Sequence, residues 1–311
     1  MPSGAVVNKP GSVWHNARVT SPDGSDPAAS RRSRIVFGTF ALPDTAVAPA
    51  LLDRFHAAGG RALDLANVYR DGEAAVAAGK WLAQRRPAGV VVYAKGCHPP
   101  ACRPDLVRSE AEKALRLTGL DYLDVFLLHR DDPGVPAQVW AEALQAEVAA
   151  GRIGAFGVSN WTLTRTRELA GAVARTGRGG LAAFSNHFSL AEMVSAPWPD
   201  CLAVTRAELP ELAALGVRVL TWSSLATGYF AGRDQPSWSS PANAVRRERA
   251  RELAARRGVS PTAIALAYVL HQDDHVMPVI GTVSADHLGE ALDAAALELT
   301  ADEAGWLERG A

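Results

Sequence analysis

The sequence predicts an α/β protein, a single-domain (β/α)8 TIM barrel. Three observations point there. Eight short runs rich in Val, Ile, Leu and aromatic residues alternate with longer Ala- and Leu-rich stretches of helical spacing. Most of those runs are closed by polar residues, which a barrel would gather on one rim. The first run reads on as VFGTFALPD and carries no G-x-G-x-x-G fingerprint, which argues against the competing open, doubly wound sheet.

The elements follow in order. Residues 20–34 read TSPDGSDPAASRRSR, with almost no bulky apolar residue, so residues 1–33 are expected to form a flexible extension. The barrel is expected over 34–311. Strands are predicted at 35–37, 61–64, 90–95, 122–129 and 153–159, with weaker signals at 181–185, 217–223 and 276–280. Helices are predicted over 49–58, 73–84, 104–117, 137–150, 162–174 and 284–295. Gly59-Gly60, Gly119, Gly151 and Gly216 stand where helices need a left-handed C-terminal cap.

Composition narrows the function classes. A chain of 311 residues is long enough to bury a sizeable core. Lys plus Arg is 32 against 33 for Asp plus Glu, a net charge of −1, which leaves no electrostatic footprint for nucleic acid. No apolar window is long enough to span a membrane, and the first residues, MPSGAVVNKPGSVWHN, lack a signal-like apolar region. Three cysteines cannot make a disulfide framework. A cytoplasmic protein is expected; the oligomeric state is not legible.

The polar strand ends carry the chemistry. They are Asp64, Lys95, His129, Ser159-Asn160, Ser185-Asn186 and Ser223-Ser224. Only four of the 32 basic residues are lysines, so Lys95 behind VVVYA points to a need for a compact amine. Tyr69 lies five residues past Asp64. A free phenol, with a pKa near 10, is a poor proton shuttle at neutrality, and an adjacent ammonium lowers that value. Asp64 would hold the ammonium, and a neutral His129 could hydrogen-bond a substrate oxygen. Together they predict a Tyr-based general acid in a barrel mouth.

At these residues the chain resembles the aldo-keto reductase family, over roughly 34–308. Asp64-Leu65-Ala66-Asn67-Val68-Tyr69 is similar to the family's Asp-Thr-Ala-x-x-Tyr stretch, and Asp71-Gly72-Glu73 to the element that follows it. The run 90–95 resembles its lysine strand, DYLDVFLLHRDDP its histidine strand, GRIGAFGVSNWT its Gly-Val-Ser-Asn motif, and VLTWSSLATGYFAG its cofactor loop. The resemblance implies hydride transfer from NADPH or NADH to a carbonyl carbon, with Tyr69 delivering the proton, Lys95 and Asp64 tuning it and His129 orienting the carbonyl. It implies Ser159 and Asn160 at the nicotinamide carboxamide, Trp222 on the nicotinamide face, and Ser223, Leu225 and Gly228 along the pyrophosphate. Gly38 and Thr39 fall to the cofactor too.

Two stretches depart from the family pattern. Where a Gln is usual, the chain has Ser185 and Asn186, either of which could serve the carboxamide. The adenosine stretch, residues 281–291, assigns Gly281, Val283 and His287 to the cofactor but holds no Arg or Lys for a 2′-phosphate, so the choice between NADPH and NADH stays open. For substrate, His98, Arg130 and His187 are polar rim groups that suit a sugar or sugar-derived keto compound, as do loops resembling a subgroup associated with sugar metabolism.

Three other readings compete. Cys97-His98 with Cys102 suggests zinc, but a fourth ligand is missing, so no metal is expected. Lys95 could serve a Schiff-base lyase, which leaves Tyr69, Ser159-Asn160 and Trp222 without a shared purpose. A cofactor-binding regulatory barrel with slow turnover is the third.

Overall fold

The computed structural model describes residues 27–176 and 179–309. Residues 1–26 of the expected extension lie outside the described residues. Its last stretch does not: Pro27–Arg34 forms a helix, α1, that leads into the first strand.

Eight parallel strands close in sequence order, the first pairing with the last: β1 (Val36–Gly38), β2 (Ala62–Ala66), β3 (Val91–Gly96), β4 (Leu123–Leu128), β5 (Ile153–Ser159), β6 (Leu181–Ser185), β7 (Arg218–Thr221) and β8 (Val276–Ile280). The helices that follow are α2 (Val47–Ala57), α3 (Glu73–Arg85), α4 (Val107–Thr118), α5 (Ala137–Ala149), α6 (Leu163–Thr176) and α7 (Leu209–Ala214). Two helices, α8 (Pro241–Arg257) and α9 (Pro261–His271), separate β7 from β8, and α10 (Ala285–Ala294) and α11 (Ala301–Glu308) end the chain.

Local chemistry explains where the late helices begin. Ser240 and Ser260 accept the backbone N–H groups of Asn243 and Ala263, each followed by proline at the first helical position. Ser284 caps α10 in the same way, and Thr300 and Glu303 form a reciprocal capping box at α11. At the closed end of the barrel Arg34 fixes α1. Its guanidinium donates to the carbonyls of Leu270 at 2.7 Å and Asp273 at 3.2 Å, beside the Asp274 carboxylate.

The interior of the barrel is a small apolar cluster that includes Val36, Ala62, Tyr93, Leu127, Ala183, Leu220 and Val279. Side chains along a strand alternate between faces, so the next inward position on each strand lies two residues on. Those positions are Gly38, Asp64, Lys95, His129, Ser185, Trp222 and Gly281. Ser159 joins them, because Phe156 and Val158 on β5 point outward into the strand–helix core. Strand register alone brings the inward polar strand ends to one mouth.

Candidate active site

Lys95 is the centre of the mouth. Its ammonium is buried and pairs with the buried carboxylate of Asp64. The Tyr69 phenol stands beside both groups, with the ammonium 5.1 Å from its ring centroid. Burial works against the Lys95 charge, but Asp64 and Tyr69 outweigh it and raise its pKa, so the ammonium persists.

Tyr69 is held by an unusual turn. Arg70 (φ 50°) and Asp71 (φ 56°) are both left-handed, and Gly72 (φ 96°) completes the reversal into α3. Non-glycine residues adopt that conformation at a cost, and such strain collects at functional sites. The turn sets the Tyr69 ring edge-on to His129, at a centroid distance of 5.9 Å.

The expected lowering of the Tyr69 pKa is not what the surroundings produce. Burial pushes the phenol up to about 12, and the Lys95 charge pulls it back only in part. Tyr69 is therefore a firmly protonated donor at neutral pH. His129 is buried, and burial followed by the nearby charges of Lys95 and Arg130 holds its pKa well below the ordinary imidazole value. It is neutral, and its Nδ1 has no partner among the described residues.

Several side chains assigned from sequence face elsewhere. Asn186 points outward and donates to the Trp161 carbonyl at 2.9 Å, which leaves Ser185 as the inward group on β6. The Asn160 side chain donates to Ser159 Oγ at 3.0 Å and accepts from the Leu202 N–H at 3.1 Å. Thr39 is buried and binds the Asp64 carbonyl through its hydroxyl at 3.0 Å, so it braces β2.

Two of the three expected substrate contacts are engaged by other parts of the chain. Arg130 is buried, donating to the His129 carbonyl at 2.9 Å and to Cys201 Sγ at 3.4 Å. His187 lies between two tryptophans. Its Nδ1 donates to the Trp222 carbonyl at 3.1 Å, its Nε2 accepts from Trp238 Nε1 at 3.0 Å, and burial lowers its pKa to about 4. It fixes the backbone that carries Trp222. His98 alone of the three remains at the mouth, half-buried, with its ring 5.0 Å from that of His129.

Around β7 and β8 the geometry fits a long anionic cofactor. The Trp222 indole N–H is buried without a partner among the described residues. Beyond it Ser223, Ala226, Thr227 and Gly228 all take left-handed backbone conformations, winding the chain into a tight loop beside Leu225. A Cβ on Gly228 would stand 2.6 Å from Arg233 Cδ, so the arginine stem crosses this loop. Arg233, exposed and in no ion pair among the described residues, was missed by the sequence reading although it follows Gly228 by five residues. Gly281 lies beside β1, where a Cβ would meet the Gly38 carbonyl at 3.2 Å. Val283 and His287 are exposed at the start of α10.

The fold and this site define a barrel oxidoreductase, and comparison with known proteins agrees. The model of the Aldo/keto reductase family matches residues 34–309, and the chain belongs to that family. It is 28% identical over 285 residues to an aryl-alcohol dehydrogenase, GME11368, of Pestalotiopsis microspora, covering 84% of this chain and 71% of that protein. It is 28% identical over 203 residues to 6-dehydroglucose reductase of Agrobacterium fabrum, covering 65% of this chain and 61% of that protein. An aldo/keto reductase from Klebsiella pneumoniae, solved with NADP and acetate, superposes with a TM-score of 0.65 at 22% identity, over 88% of this chain and 90% of that one.

Proposed function

We propose that this chain reduces a small carbonyl compound to an alcohol with NADPH or NADH, and that Tyr69 is the proton donor. The observation that carries this is Tyr69 set against the buried Lys95–Asp64 pair, with a neutral His129 beside it. When bound, the reduced nicotinamide supplies the hydride. The residues of the chain do the rest. His129, held neutral, donates a hydrogen bond to the carbonyl oxygen and orients it. Tyr69 gives that oxygen its proton, and Lys95 stabilises the phenolate left behind. Asp64 keeps Lys95 charged and in place. A protonated, ion-paired Lys95 is a poor nucleophile, which disfavours the Schiff-base alternative.

Ser185 and Ser159 would hold the carboxamide, Trp222 the ring face, the 223–228 loop with Arg233 the pyrophosphate, and Gly281, Val283 and His287 the adenosine end. Relatives with both aryl and sugar names leave the sequence's sugar assignment as one of two substrate readings. Three unpaired cysteines accord with a reducing cytoplasm. Among the described residues no helix is long and apolar enough to cross a membrane.

The test is a titration with NADPH and with NADH, read by tryptophan fluorescence. Saturable quenching by at least one, reduced in Trp222→Phe, is expected; binding of neither would overturn the proposal.

A further inference from the structure

The rim of the mouth is aromatic. Phe40, on the loop after β1, is 54% exposed, and Trp198, on the long connection after β6, is 44% exposed. Neither is a rim group that the sequence marked. Their rings touch across the opening, with centroids 5.7 Å apart. Phe40 in turn lies edge-on to Tyr69 at 5.2 Å, and Trp198 lies 6.4 Å from Trp222. Four rings thus make a continuous arc from the proton donor to the end of β7.

Apart from His98, the polar groups that could have gripped hydroxyls are committed elsewhere. Arg130 and His187 are buried and bonded to other parts of the chain. Asp131 is locked to Arg165, with its oxygens 3.0 Å and 3.1 Å from the guanidinium nitrogens. A polyol in this mouth would lose water and find few free donors, the costly case for a hydroxylated ligand. Large exposed aromatic surface beside a reactive centre is the signature of a site that buries an apolar partner.

Resting on the reductase reading above, we infer that the substrate is an aromatic carbonyl compound, and that Trp198 is the residue that selects it. The carbonyl sits at Tyr69 and His129, and the aryl portion leaves the mouth along the arc, packed against Trp198 and Phe40. Ring-to-ring contacts of this kind add to simple burial, and together they account for about a tenfold preference.

The experiment compares kcat/KM for 2-naphthaldehyde and for propionaldehyde in the wild type, Trp198→Ala and Trp198→Phe. The wild type is expected to favour the naphthyl substrate. Trp198→Ala is expected to cut that preference about tenfold, chiefly through KM, while Trp198→Phe, which keeps a ring, retains most of it. An unchanged preference in Trp198→Ala, or a wild type that favours propionaldehyde, overturns the inference and leaves the reductase reading standing. Turnover of no carbonyl by the wild type overturns both. If Trp198→Ala fails to fold, Trp198→Leu takes its place: a preference cut severalfold upholds the inference, and an unchanged preference overturns it.

Discussion

The two ends of the barrel handle difficult backbone in opposite ways. At the closed end, left-handed turns fall mostly to glycines such as Gly119 (φ 67°) and Gly216 (φ 73°), which adopt them without strain, with Arg86 (φ 46°) at the end of α3 the exception. In the loops that build the mouth, residues with side chains take the same conformation: Arg70, Asp71, Cys97, Asn160, Ser223, Ala226 and Thr227. Each costs roughly 1 kcal/mol or more, so the rest of the fold must hold them there. The contrast extends to charge. Arg34 at the closed end is spread over backbone carbonyls, whereas Lys95 and Asp64 are buried against one another and a phenol. One end is built for stability and the other spends it on placing groups that react.

That comparison can be broken by substitution. The largest effect is expected for Asp64→Asn, which leaves the Lys95 ammonium buried without its counter-charge. Stability should fall by about 3–5 kcal/mol and turnover should collapse with it. Urea unfolding alongside steady-state kinetics checks both, and a stable, active variant would mean the pair is dispensable. Arg34→Ala should cost about 2–3 kcal/mol by leaving carbonyls unpaired, yet spare kcat in the folded fraction. A large change in kcat there would show that the two ends are coupled.

Acid should expose a smaller difference. His129 is neutral in the fold with a lowered pKa, while the unfolded chain takes up a proton near pH 6.5. The unfolded state then binds more protons, so stability falls as pH drops below about 6.5, by up to about 1.4 kcal/mol per pH unit. Tyr69 acts at the other extreme. Its raised pKa means that the unfolded chain loses the proton first, so stability falls as pH rises above about 10. Urea midpoints at pH 5.5, 7 and 10.5 measure both; His129→Gln and Tyr69→Phe should each shrink their arm, with buried His187, lowered to about 4, and buried Tyr93, raised to about 12, carrying part of the rest.

Much of this architecture was legible in the sequence, because strand-ending polar residues and helix spacing are local signals. Asp64, Lys95 and His129 were placed by the last residue of each run, and the inward period of two confirms their side. The choice between Ser185 and Asn186 was not legible, because a shift of one residue exchanges inside for outside. His187 and Arg130 read as rim groups, since the residues that capture them, Trp238 and Cys201, are 51 and 71 positions away. The helices Pro241–Arg257 and Pro261–His271 escaped prediction for opposite reasons: the first is polar nearly all round, and the second is buried on every side from Ala263 to Leu270. Phe40 and Trp198 carry no motif, and only their exposure at the mouth marks them.

The central claim is that Tyr69 is the proton donor of the mouth and not part of its wall. Tyr69→Phe keeps the ring against Phe40 and His129 and removes only the hydroxyl. Measured with the preferred nicotinamide cofactor and 2-naphthaldehyde, it should bind cofactor with near wild-type affinity and turn over at least about 10²-fold more slowly. Turnover within a few-fold of the wild type, with cofactor binding intact, would contradict the account.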